Sequence, residues 1–269
     1  MPPSSRPSTS PWPARVGSGL SAAVVATSFA LALPGAAAQE REFQRGESQW
    51  GIGLGVDVHQ EPYRGVDNDT QGIPLIYFEN HWVRVLGPGV ELKLPSAGPV
   101  SFRLKARYAN DGFEASDSPY LNGMSEREDG FWVGGEAIWR TPFVNLSAEL
   151  MADASSHSEG RQFKLQLDRR FTMGQFGFTP RLAATHLDRE YVGYYYGVNT
   201  SEATAGRPRY EGDATVNVEL GFRVDYRLSS QQNLFLDLRS TRLGDEIRDS
   251  PLVDRSRQTG LRVGYLYRF

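Results

Sequence analysis

The chain of 269 residues carries a net charge of −3, 39% hydrophobic and 12% aromatic residues, 28 glycines and no cysteine. Near-neutral charge argues against a nucleic-acid partner, which needs a basic face, and the lack of cysteine excludes disulfides, thiolate metal sites and a lipidated N-terminal Cys. A mean hydropathy of −0.45 excludes a bundle of membrane helices but not a membrane β-barrel, in which only alternate residues meet lipid.

Arg6 and Arg15 precede an apolar run from Leu20 to Leu33, Pro34-Gly35 breaks it, and Ala36-Ala37-Ala38 offers a small-x-small cleavage site. Residues 1–38 therefore read as a secretory signal peptide cut before Gln39, the run being too short to span a bilayer comfortably. Residues 39–49 read as a polar periplasmic lead-in, and residues 50–269 as one β domain outside the cytoplasm.

Trp50, Ile52, Leu54, Val56 and Val58 alternate with Gly51, Gly53, Gly55, Asp57 and His59, which predicts a first strand. A polar loop follows to Gly72, containing Pro62-Tyr-Arg-Gly65 and Asp67-Asn68-Asp69. Ile73 to Leu94 reads as extended but is interrupted at Asn80-His81 and Gly87-Pro88-Gly89, so it is either one long bulged strand or a hairpin of two short ones. Beyond the turn at Pro95, alternation resumes over Val100–Tyr108, Phe131–Trp139, Val144–Leu150, Phe163–Leu167 and Phe176–Ala184. Leu187 to Gly212 is the longest irregular segment. After it come the cleanest strand, Ala214–Tyr226, then Leu234–Leu238 and a closing strand, Gly260–Phe269, whose Leu261, Val263, Tyr265, Tyr267 and Phe269 share one face. No helical period competes anywhere after Gln39.

The connections discriminate a membrane barrel from a soluble sandwich. Four tight turns (at Pro95, Thr141, Thr172 and Ser229) alternate with five long loops (after His59, Asn110, Ser155, Leu187 and Gly244). Outer-membrane barrels have this asymmetry, short periplasmic turns against long external loops. The reading is an all-β, antiparallel transmembrane outer-membrane barrel of about ten strands, or twelve if Ile73–Leu94 splits and the Tyr191 region pairs as well. Arg103, Lys105, Arg107, Glu136, Arg140, Glu149, Asp153, Lys164, Asp168, Arg181, Glu219, Arg223, Asp225 and Arg227 fall on inward faces. Both signs occur, and isolated buried charges are too costly, so these predict a mutually paired network that fills the lumen rather than a wide pore.

No catalytic, cofactor-binding or metal-ligating residue is expected. His59, His81, His157 and His186 have no i,i+4 partner and form no His-x-His, and Asp67-Asn68-Asp69 lacks the other ligands of a calcium loop. Asp153 with Ser155-Ser156-His157-Ser158 sits at a predicted rim, where a barrel hydrolase would place its triad, but adjacency in sequence is not the geometry a triad needs. Trp50, Trp82, Trp132, Trp139 and Tyr194 to Tyr196 read as interface girdle and loop packing rather than sugar-stacking platforms.

Several stretches resemble the MipA/OmpV family of outer-membrane proteins: Pro62-Tyr-Arg-Gly65, Tyr194-Tyr-Tyr-Gly-Val198 with Glu202-Ala203 and Gly206-Arg-Pro-Arg-Tyr210, Arg242-Leu-Gly-Asp245, Asp249-Ser-Pro-Leu-Val253 and the terminal Tyr265-Leu-Tyr-Arg-Phe269. The resemblance implies a non-enzymatic protein of the cell outer membrane whose terminal aromatic strand is read by the barrel-assembly machinery. It also implies a scaffold for murein synthesis and hydrolysis, holding a periplasmic lytic transglycosylase and a penicillin-binding protein. The family's other roles make a small-solute channel, or a stress-responsive or adhesin membrane protein, the alternative. The rim-located hydrolase is a second alternative.

Overall fold

A computed structural model describes residues 48–269; the expected signal peptide and the expected lead-in up to Glu47 lie outside the described residues. The chain folds as a closed antiparallel barrel. Its strands are β1 (Gln49–His59), β2 (Asp69–Glu79), β3 (Val83–Leu86), β4 (Gly89–Ala97), β5 (Val100–Ala109), β6 (Gly130–Arg140) and β7 (Asn145–Asp153). They continue as β8 (Arg161–Asp168), β9 (Phe171–Met173), β10 (Phe176–Leu187), β11 (Thr215–Arg227), β12 (Gln232–Arg242) and β13 (Arg257–Arg268). Each pairs with its neighbour, and β13 returns to β1 with Gly51 opposite Arg268 and His59 opposite Gly260, which closes the wall. Both β8 and β9 pair with β10, so they are one stave interrupted at Arg169-Arg170, and the thirteen segments make twelve staves.

Twelve rather than ten follows from the interrupted stretch, which makes parts of three strands. The Asn80 side-chain oxygen accepts from the Trp82 and Val83 amides at 2.8 and 2.7 Å, turning β2 into β3. Gly87, at a φ of 55° that a glycine adopts without a Cβ penalty, then turns β3 into β4. The Tyr191 region contributes no strand. It forms a helix, α1 (Arg189–Tyr196), capped by Asp188, whose carboxylate accepts from the Tyr191 amide at 3.0 Å. A single helical turn, α2 (Asp245–Arg248), follows β12. The sequence reading of an entirely non-helical chain is therefore corrected at these two places.

Burial is inverted relative to a soluble protein. Leu54, Ile52, Leu220 and Phe131 point outward and are 73, 59, 64 and 58% exposed, whereas the inward Asp57, Asp225, Asp237 and Arg223 are 0, 1, 2 and 3% exposed. With lipid as the outer solvent this is the favourable arrangement, because every strand satisfies its backbone laterally and presents apolar side chains to hydrocarbon. Trp50, Trp82 and Trp139 lie on that outer surface, but Trp132 does not; it faces inward and is fully buried beneath the loops.

Candidate functional site

The lumen is crossed by ion pairs between inward faces. Lys105 on β5 reaches Glu136 on β6 at 3.5 Å and Glu149 on β7, Arg103 reaches Glu91 at 2.9 Å, and Arg223 and Arg170 meet Asp225 at 3.0 and 2.8 Å. Two guanidinium groups span two strands. Arg181 on β10 lies across Gly221 of β11 to reach Asp237 on β12 at 2.6 Å, and Arg239 on β12 lies across Gly260 of β13 to reach Asp57 on β1 at 3.0 Å. Gly221 and Gly260 sit directly opposite those arginines, and a Cβ at either would collide with the guanidinium. Asp57 also accepts from Arg262 at 2.8 Å. Of the charges expected to face inward, Arg103, Lys105, Glu136, Glu149, Arg181, Glu219, Arg223 and Asp225 join ion pairs, whereas Arg107 and Asp168 bond to Gln162 and Asn145, Asp153 is held by loop serines, and Arg140 and Arg227 end exposed. Asp57, Glu79, Glu91, Asp237, Arg239 and Arg262 join a network in which sequence reading had not counted them.

Above the lumen the long loops fold into a lid with its own core, formed by Tyr63, Phe113, Leu121, Trp132, Tyr191, Val192, Tyr195, Ile247 and Leu252 among others. The stretches that carry the family resemblance within the loops converge here. Tyr63 pairs with Val253 as an isolated bridge, and its hydroxyl donates to the Tyr195 carbonyl at 3.3 Å. The Arg64 amide donates to the Leu252 carbonyl at 2.7 Å, and Ser250 Oγ donates to the Tyr196 carbonyl at 2.6 Å. Arg127 is the central cation of the lid. It donates to the Tyr194 carbonyl at 2.6 Å and to Glu202 at 2.9 Å, while Arg207 donates to the carbonyls of Tyr120, Asn122 and Glu202.

Electrostatics follow from this burial. The Glu202 carboxyl is raised by burial, but hydrogen bonds from Arg127 and from the Asn199 and Ser125 amides outweigh that and hold it at about 2. Asp111, beneath the lid, is pushed up to about 6 by burial, with Asp129, Glu61 and Asp153 adding repulsion and Arg107 opposing. Burial also raises Asp129.

The histidines separate. His81 packs edge-on against Trp82 at 4.7 Å between centroids, and His186 is exposed on the outward face of β10. His157 Nδ1 lies 2.7 Å from the Asp129 carbonyl and its Nε2 lies 3.0 Å from Glu128. Asp153 instead accepts from Ser155 and Ser158, so these residues make a loop clamp with no Ser–His–Asp relay. His59, by contrast, is drawn into a cluster. Its Nδ1 lies 3.0 Å from Asp57 and its Nε2 2.9 Å from Glu61, and Asp69 stands directly across the β1–β2 ladder. Donor atoms of His59, Glu61 and Asp69 all lie within 4.8 Å of one another. Sequence spacing hides this group because His59 and Asp69 meet only through strand register; the signal was their symmetric placement about the first loop.

Residues 52–269 match the family model described as MltA-interacting protein MipA. The chain is similar to the MltA-interacting protein of Escherichia coli K12, at 28% identity over 228 residues covering 83% of this chain and 91% of that one. It is also similar to the outer membrane protein OmpV of Vibrio cholerae, at 24% identity covering 57 and 60%. Among solved structures, the anion-selective porin from Comamonas acidovorans aligns with a TM-score of 0.35 and 11% identity, covering 83% of this chain and 99% of that one.

Proposed function

The chain belongs to the MltA-interacting protein MipA family of outer-membrane barrels, and on that premise we propose that it scaffolds murein enzymes, holding a lytic transglycosylase at the inner surface of the outer membrane. The observation that carries this reading is the closed barrel. Ion pairs between buried side chains cross its lumen, and its long loops pack into a hydrophobic lid, an arrangement suited to a rigid anchor rather than to a diffusive path. The name of the Escherichia coli relative supports the same partner class.

Contact then falls to the periplasmic side: the lead-in from Gln39 to Gln49 and the short turns at Asn80–Trp82, Gly98-Pro99, Thr141–Val144, Gly174-Gln175 and Leu228–Gln231. Trp82 and Phe143 on those turns are 60 and 72% exposed and supply apolar anchors of the kind that dominate interfaces. The test is cross-linking and co-purification from intact cells, comparing the wild type with a deletion of residues 39–47 and with Phe143→Ser. Recovery of a lytic transglycosylase or penicillin-binding protein with the wild type, reduced in either variant while barrel abundance holds, is the expected result. Absence of murein enzymes from wild-type complexes overturns the proposal.

A further inference from the structure

We propose that His59, Glu61 and Asp69 form a binding site for a first-row divalent cation of the zinc class at the external end of the β1–β2 hairpin. The site arises from register. His59 ends β1, Asp69 opens β2 directly opposite it, and Glu61 follows two residues after the strand, so that three donors of different reach gather within 4.8 Å. One imidazole nitrogen and two carboxylates make a mixed N/O set that balances a double positive charge. Calcium prefers six to eight oxygens and magnesium a near-octahedral oxygen shell, so this donor set favours zinc or a similar ion with water in the open position.

Two independent features mark the cluster as more than adjacent acids. Asp57 lies 3.0 Å from the far ring nitrogen, Nδ1, near enough to pair with the ring though not aligned as a hydrogen bond; a small rotation of the imidazole brings the two into the carboxylate–histidine arrangement that orients a metal-binding ring and leaves Nε2 for the ion. Asp57 cannot turn to become a ligand itself, because Arg262 at 2.8 Å and Arg239 at 3.0 Å hold its two oxygens and it is fully buried. Gln71, two residues along the same face of β2, donates its amide to Asp69, while its Oε1 is buried without a donor. That oxygen is a further acceptor beside the ligand it fixes.

Access is adequate as well. The His59 and Glu61 side chains are 13 and 24% exposed, sheltered enough to shed bulk water yet reachable. Nε2 and Glu61 Oε1 lie 2.9 Å apart and share a hydrogen bond, and a bound cation would take the place of that shared proton.

Equilibrium dialysis of the detergent-folded mature barrel against Zn²⁺, with Ca²⁺ and Mg²⁺ in parallel, tests the site without reference to murein partners. Stoichiometric Zn²⁺ uptake is expected, with none of the other two ions at the same concentration. His59→Ala and Asp69→Asn should abolish it. Asp57→Asn leaves all three ligands in place and should weaken binding roughly 10- to 100-fold, the usual effect of losing an orienting partner. Glu61→Gln, on the loop beyond the strand, should also weaken it and serves where a strand variant fails to fold, as reported by heat-modifiable migration. His157→Ala should bind as the wild type does. Sub-stoichiometric uptake by the wild type, full uptake by folded His59→Ala or Glu61→Gln, or loss of uptake in His157→Ala overturns the proposal.

Discussion

Arg127 and Glu202 illustrate how single residues set the stability of the lid. Both side chains are almost fully buried, 5 and 2% exposed, and each satisfies groups from different loops. Replacing one partner of such a pair leaves the other charge buried and uncompensated, which costs about 3–5 kcal/mol. Glu202→Gln should therefore expose amides of residues 189–202 to hydrogen exchange while the strands stay protected. The pH dependence has two opposing parts. Glu202 is held below its usual value, so its contribution is present above an unfolded pKa of 4.5 and is lost as pH falls toward 2. Asp111 is raised from 3.8 to about 6, so ionising it costs stability above pH 6, and that cost disappears as pH falls toward 3.8. Lid protection should pass through a maximum near pH ~4–5, and Asp111→Asn should flatten the alkaline side of that curve without touching the acid side. A monotonic exchange profile from pH 7 to pH 2 would refute both assignments. At this scale the sequence was partly readable. Alternation identified many of the inward charges, but Arg127–Glu202 joins loops 75 residues apart, and no local pattern announces such a contact.

Among the elements, the strands with clean alternation were legible because period two is set by the backbone itself. The turn at Asn80 and Gly87 was visible only as an interruption, since β3 has four residues and cannot display a period of its own. Helix α1 escaped because its eight residues include five aromatic or β-branched side chains of modest helix propensity; it is held by its cap and by burial of Tyr191, Val192, Tyr195 and Tyr196. The cap prediction is direct: Asp188→Ala should destabilise the lid by about 1 kcal/mol and increase exchange in α1 first. The glycines opposite Arg181 and Arg239 have a different logic. They are floors over which a guanidinium passes to reach a carboxylate two strands away. Gly260→Val should push Arg239 off Asp57 and overpack the wall, at a cost of about 1–3 kcal/mol, seen as a lower temperature for the heat-modifiable transition. Gly72, whose added Cβ meets nothing within 4 Å, is the control substitution on the barrel and should leave that temperature nearly unchanged.

At the scale of the whole molecule, the lid and the charge network are two barriers in series along the barrel axis. A twelve-stave wall encloses more cross-section than side chains of ordinary size fill, and here that space is crossed by long arginines and lysines that bridge one or two strands. Barriers in series conduct only as well as the tighter of the two. Purified barrel in a planar bilayer should therefore carry little steady current. Deleting residues 190–211, which removes α1 and the following loop from the lid core, should change that little, because the paired charges beneath remain. Neutralising Arg181 together with both of its partners, Glu219 and Asp237, removes a bridge across β10 to β12 without stranding either carboxylate, and by itself it should also leave current low under an intact lid. Only the combination should open a continuous wet path, giving conductance well above the sum of the two single changes. A large, ion-selective current from the wild-type barrel would instead mean that the network parts readily, and would favour the solute-channel reading over the anchor.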